Sequence, residues 1–413
     1  MYRVLLFALL MAALLFCTSS TPDRWGFFGH RRINRLAVFT LPPGMVFFYK
    51  KHLEYLTEHA VDPDKRRYAT KHEAPRHFID LDRYGVFPFA SLPRQWPEAC
   101  ALLTDIYAVG PGGDSLHLLG PGRVEVSGGR WFPCDSSLLR YWPGEGLDKR
   151  AYQRWFNAQV LPQYYEEHKR IGCDSLQALL GTAFPCAEIV AIDTFSLHGI
   201  LPYHLVSMQN RLTRAFEKGD VPSILRLSAE LGHYIGDAHV PLHTTSNYNG
   251  QLSGQLGIHA FWESRIPELF ADERYDFFTG TAAYISDPTA FYWGIVLESH
   301  RLVDSVLSIE RNLRGSFPAD RQYCYESRNS AGIRTQCPEF AAAYQDGLNG
   351  MVERRMRHSV RAIGSAWLSA WTDAGQPDLT RMVFKTGDLA GLKAARALEE
   401  AWKKGRGWGR PHE

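Results

Sequence analysis

The sequence contains no Cys-x-x-Cys, so a zinc site built from thiolates is not expected. It has no basic tail and no long run of like charge, and its formal net charge is +2. Bulk electrostatics therefore give no argument for duplex nucleic acid or an anionic membrane. No repeat recurs at the ~20–50-residue periods of repeat architectures. The leading apolar run, Val4 to Cys17, is shorter than the ~20 residues that a membrane-spanning helix needs. Outside a loop-rich stretch at about 100–190, apolar and polar residues do not alternate strongly, so little strand is expected there.

What is present begins with an address. Met1-Tyr-Arg3 is a short positive start, Val4 to Cys17 is apolar, and Ser19, Ser20, Thr21 and Pro22 follow. This pattern reads as a secretory signal, with residues 1–24 as signal and leader. A secreted or periplasmic location is expected. Variant readings make Cys17 the lipidated cysteine of a bacterial lipoprotein, or the run an uncleaved anchor. Of seven cysteines, six lie beyond the signal, an even number that suggests disulfides in an exported chain. Cys324 and Cys337 enclose a short polar loop and are the simplest pair to propose. Cys100, Cys134, Cys173 and Cys186 could pair in three ways.

Helical spacing dominates the rest of the 413 residues. Ile33, Leu36, Ala37 and Phe39 predict a helix within Gly29 to Thr40, stopped by Pro42-Pro43. Further helices are expected over Phe47 to His59 and at 94–108, 281–313, 338–372 and 387–404. Leu205, Met208, Leu212 and Phe216 form one apolar stripe, and Ile224, Leu227, Leu231 and Ile235 another. Glycine and proline crowd the region from Gly110 to Gly129, which reads as loop or short strands. The expected fold is all-α: one domain over 25–413, carrying an insertion at about 100–190.

Histidines and carboxylates recur at a spacing of four. His233 and Asp237 form one such pair and His259 and Glu263 another, with His243 just beyond a proline. Residues four apart share a helix face, so each pair can grip one ion from adjacent turns. Imidazole nitrogen and carboxylate oxygen are usual zinc ligands, which points to a metal-dependent hydrolase.

Five segments extend this pattern: Trp25-Gly-Phe-Phe-Gly-His30, Val61-Asp62-Pro63-Asp64-Lys-Arg-Arg67, Arg76-His77-Phe78-Ile79-Asp80, the His233–His243 stretch and His259-Ala-Phe-Trp-Glu263. In this order and with nearly these gaps, the chain resembles the superfamily that joins single-strand-specific S1/P1-type nucleases to bacterial zinc-dependent phospholipases C. The resemblance covers about 25–95 and 193–265, more loosely the region of Trp367-Leu-Ser-Ala-Trp371, and leaves roughly 100–190 without a counterpart.

The resemblance implies a multi-helical bundle with a three-zinc site. One ion would take the free amine and carbonyl of Trp25 together with His30. A second would take an aspartate with His77 and His233, and Asp237 would bridge the two. A third would take His243, His259 and Glu263. Asp62 matches the usual gap to the histidine, whereas Asp64, with Arg67 three residues on, matches the local pattern better and is favoured. A free amine at Trp25 requires trimming after Arg24, which is not a small-residue cleavage site; without it, two ions are expected.

The implied chemistry is zinc activation of water against a phosphodiester, with Asp64 orienting the nucleophile and Asp237 setting the spacing of the ions. Phe78 and Asp80 would bind a base. The expected activity is that of a single-strand-preferring endonuclease or 3′-nucleotidase acting on single-stranded nucleic acid or nucleotides. Glu263 leans toward the phospholipases, so hydrolysis of a phospholipid is the alternative, and a non-catalytic zinc-stabilised binding protein is the alternative of another class. No obligate protein partner is expected, and the chain is read as a monomer. His198, His204, His239, His300 and His358 are read as satisfied polar residues rather than ligands.

Overall fold

The computed structural model describes residues 27–164, 170–328, 331–382, 397–405 and 408. Cys17, Trp25 and the leader lie outside the described residues, as does much of the helix expected at 387–404; residues 397–403 are helical. The chain is mostly helical, with 61% helix, 11% strand and only small sheets.

Five helices frame the site: α1 (Phe27–Ala37), α2 (Leu201–Lys218), α3 (Val221–His239), α4 (Pro288–Arg301) and α5 (Met351–Asp373). Helix α3 lies at the centre and packs against the other four. Its stripe Ile224, Leu227, Leu231 and Ile235 is buried. Asp220 caps its start by accepting from the Ser223 amide, and Pro241 follows its end. Helix α2 buries Leu205, Met208, Leu212 and Phe216 and ends at Gly219, whose φ is 62°.

Two glycines on α3 let α1 approach closely. A Cβ at Gly232 would sit 1.9 Å from Asn34 Oδ1, and one at Gly236 would sit 2.9 Å from His30 Nδ1. With hydrogen at both places, Asn34 donates to the Ala229 carbonyl of α3. His30 is thereby carried onto the face that holds Asp237.

Residues 104–193 leave and re-enter the helical frame side by side. Strand β1 (Thr104–Val109) pairs antiparallel with β7 (Glu188–Asp193), inside a four-stranded sheet ordered β2 (Ser115–Leu119), β1, β7, β6 (Arg170–Ile171). A second sheet joins β3 (Val124–Ser127), β4 (Arg130–Pro133) and β5 (Leu147–Asp148). Trp131, Trp142, Tyr152 and Phe156 are buried there, within a core continuous with the helical frame.

The helices differ from expectation at particular residues. The helix expected at 94–108 ends at Leu103, because Thr104 turns extended and the next residues alternate buried and half-buried as a strand does. The helix expected at 281–313 starts only at Pro288 and breaks at Leu302. That at 338–372 breaks where Asn349 and Gly350 take positive φ of 49° and 70°. An all-α reading also misses a hairpin, β8 (Tyr323–Arg328) with β9 (Ala331–Gln336), in what reads as a polar loop.

Cys324–Cys337 closes that hairpin, and Cys173–Cys186 forms a second disulfide; Cys100 and Cys134 join neither. Two disulfides fit an extracellular or periplasmic protein. No described helix is long and apolar enough to cross a membrane.

Candidate metal centre

Side chains from six places converge at α3. His30 comes from α1, Asp64 from the short Asp62–Arg66 helix and His77 from the turn at Ala74–His77. His233 and Asp237 come from α3 itself, and His243 from the turn after it. His259 and Glu263 lie on a helix that widens into a π segment over Phe261–Arg265, a local form frequent at functional sites.

Three groups have the geometry to hold a cation: His30, His233 and Asp237; Asp64, His77 and His233; and His243, His259 and Glu263. Asp237 joins them. Its Oδ2 lies 2.9 Å from His77 Nδ1 and 3.3 Å from His233 Nε2. Its Oδ1 lies 3.4 Å from His30 Nε2 and 3.9 Å from His243 Nε2. Glu263 spans in the same way, with Oε1 3.4 Å from His30 Nε2 and Oε2 2.8 Å from His259 Nε2. Asp64 Oδ1 stands 3.8 Å from His233 Nε2 and 3.9 Å from His77 Nδ1.

Backbone carbonyls orient the imidazoles. The Nδ1 of His233 faces the Ala60 carbonyl at 2.9 Å, that of His259 faces Tyr248 at 3.1 Å, and that of His243 faces His77. Donating there leaves each Nε2 as a lone pair turned inward. His77 is reversed. Its Nδ1 points inward, while its Nε2 lies 3.8 Å from Glu73 Oε1.

Burial drives the protonation. It holds the His233 and His243 imidazoles below their ordinary range, as neutral donors. It pushes the Asp237 carboxyl well above the usual carboxylate range, and the charges of Glu263 and Asp64 push it further. It raises Asp64 too. Burial also acts upward on Glu263, but hydrogen bonds and charge from His243, then His259 and His30, outweigh it and hold that carboxyl well below. Three carboxylates packed with five imidazoles form a donor set that a divalent cation would satisfy, and nitrogen-plus-oxygen sets of this kind suit zinc among other metals.

Several expected site residues fall elsewhere. Asp62 is removed from the ligand set: its Oδ2 lies 2.6 Å from His59 Nδ1 and its Oδ1 3.8 Å from Lys65. Asp62 and Asp64 are two apart on one helical turn, so they face different sides and only one can reach the cluster. Trp25 lies outside the described residues. Phe78 is 8% exposed and packs on Gly199, and Asp80 is 1% exposed with its amide bonded to the His198 carbonyl. Both sit beside the cluster but under cover. Of the histidines set aside, His239 donates to Ile235 and His300 to Thr244.

Sequence reasoning missed what lies behind His77. Glu73 is fully buried and accepts from Tyr234, Arg76 and Arg66; Arg66 also pairs with Glu230. The signal was there: Glu73 and His77 repeat the four-residue spacing of the other two pairs. Also unforeseen is Arg265, two residues past Glu263 and 2% exposed, which donates to the Gln336 carbonyl and pairs with Glu326 on the disulfide-closed hairpin. Comparison with known proteins finds no family model, no curated protein and no solved structure that matches the chain.

Proposed function

We propose that the protein is a zinc-dependent phosphodiester hydrolase of the S1/P1 nuclease and phospholipase C type, acting first on single-stranded nucleic acid or nucleotides. The observation that carries this reading is the Asp237 carboxylate, whose two oxygens address different sets of histidines. A structural ion needs no such shared carboxylate, which speaks against a purely zinc-stabilised binding protein.

Bound zinc lowers the pKa of water to about 7 and polarises a phosphoryl oxygen. His77, His233 and Asp64 hold one side of the cluster, His243, His259 and Glu263 the other, and His30 reaches Asp237 and Glu263 between them. Trp25, outside the described residues, would complete the ion at His30. Asp64, on the more open side of the cluster, is placed to accept a proton from an attacking water. The surrounding burial keeps bulk water from competing.

A second reading, a phospholipase C, is favoured by Glu263 and by the cover over Phe78, which leaves little ring face for stacking a base. One preparation assayed on denatured DNA and on phosphatidylcholine, with and without chelator and with its zinc content measured, separates the readings. Chelator-sensitive cleavage of DNA is the expected result. Turnover of lipid alone installs the second reading, and zinc without turnover on either substrate removes both.

A further inference from the structure

We propose that the cleft between α2 and the segment Arg94–Pro97 is a binding site for a phosphate group, distinct from the metal centre. It has a volume of about 250 Å³ and is lined by Arg94, Trp96, His204, Ser207, Arg211 and Arg214 among others, with no carboxylate among the described lining residues.

The sequence builds this face directly. His204, Ser207, Arg211 and Arg214 are spaced three, four and three apart, so α2 stacks them on successive turns of one side. The opposite wall supplies Arg94. Its guanidinium lies 4.0 Å over the Trp293 ring, and Nη2 donates to the Pro88 carbonyl. Its Nη1 is buried with no hydrogen-bond partner. The arginine is therefore held in place with a donor to spare.

His204 provides the independent sign of a ligand. It is 8% exposed, lines the cleft, and its Nε2 has no hydrogen-bond partner. A buried polar atom left in this state costs free energy that a ligand or water can return. Burial holds the imidazole well below its usual range, and Arg76, Arg211 and Arg66 reinforce that effect. The ring is a neutral hydrogen-bonding group in a field of cations. The carboxylate that acts on Arg211 is Glu230, already engaged by Arg66.

Three guanidinium groups exceed what a single carboxylate ligand balances. Their planar forks match the oxygens of a phosphate dianion, and the Ser207 hydroxyl and Asn210 amide add neutral donors. The ring of Tyr234 lies 4.6 Å from that of His204 and 5.2 Å from that of His77. One aromatic side chain thus separates the cleft from a metal-centre histidine.

Calorimetry with inorganic phosphate, a nucleoside monophosphate and acetate tests the assignment, using the native chain, Asp237→Asn, and Asp237→Asn combined with Arg211→Gln and Arg214→Gln. Asp237→Asn, with its metal centre disabled, should still bind phosphate at one site. The two arginine changes, both at exposed positions, should weaken that site about tenfold or more. Tighter binding of the nucleotide identifies a phosphate monoester as the ligand, and equal binding identifies free phosphate. Binding lost with Asp237→Asn alone, binding indifferent to the arginines, or acetate held as tightly as phosphate overturns the proposal. Should Asp237→Asn fail to fold, phosphate protection of Arg211 and Arg214 in the native protein against phenylglyoxal decides the matter. Absence of protection overturns the site.

Discussion

Glu73 and His77 stand four residues apart and 3.8 Å from each other, with the histidine turned opposite to His233, His243 and His259. Those three use a backbone carbonyl to fix which nitrogen faces the cluster. His77 has a buried carboxylate in that place, itself held by Tyr234, Arg66 and Arg76.

Glu73→Gln is therefore expected to weaken metal binding by about 10–100-fold, the usual effect of losing an outer partner of a ligand histidine. Glu73→Ala should in addition destabilise the fold by about 1–3 kcal/mol, since it removes a buried acceptor from Tyr234 and from two half-buried arginines. Chelator competition reads the first effect and urea unfolding the second. Unchanged metal affinity in Glu73→Gln would remove the positioning role.

Asp237→Asn keeps the side-chain volume and cancels the shared charge. Metal affinity and phosphodiesterase activity should both fall well beyond the roughly 10–100-fold of an outer partner. Metal analysis alongside the activity assay gives the answer, and a variant with full metal and full turnover would end the hydrolase reading.

Gly236→Ala tests the close approach of α1. The new methyl would meet Ile33 Cδ1 at 2.8 Å and His30 Nδ1 at 2.9 Å. Overpacking of this kind costs about 1–3 kcal/mol, and His30 must shift away from Asp237. The expectation is a lower melting temperature and loss of the metal bound at His30. A normal metal content would show that His30 is not a ligand.

His239 gives a prediction for acid. Burial, with Arg355 nearby, holds it well below the ordinary histidine range. A group depressed in the fold takes up a proton on unfolding, so its contribution is present above the unfolded pKa of about 6.5 and is lost as pH falls toward the folded value. In chelated protein, stability should decline from pH 7 to 5. His239→Gln should flatten that slope by up to about 1.4 kcal/mol per pH unit, one proton's worth. Urea titrations at several pH values supply the slope, and an unaltered slope would mean that His239 is charged in the fold.

Much of this could be read from the chain before folding. The stripes ending at Phe216 and Ile235 mark α2 and α3, and the paired spacings of His233 with Asp237 and His259 with Glu263 mark the cluster, because both follow from the turn of a helix. Spacing could not choose between Asp62 and Asp64, since the choice depends on how a five-residue helix sits against α3. It could not show that Phe78 is covered, because Gly199, which covers it, is more than a hundred residues away. The strands of 104–193 pair over long separations, and the hairpin at Tyr323–Gln336 has a polar sequence that is tied to Arg265, far from it in the chain.

That tie links the ligand segment to a covalent clasp. Glu263 sits two residues from Arg265, Arg265 is anchored on Gln336 and Glu326, and the clasp closes at Cys324 and Cys337 on either side of them. The disulfide braces the hairpin, the hairpin holds the arginine, and the arginine steadies the backbone that carries Glu263. Reducing Cys324–Cys337 is therefore expected to loosen the corner of the candidate metal centre at Glu263.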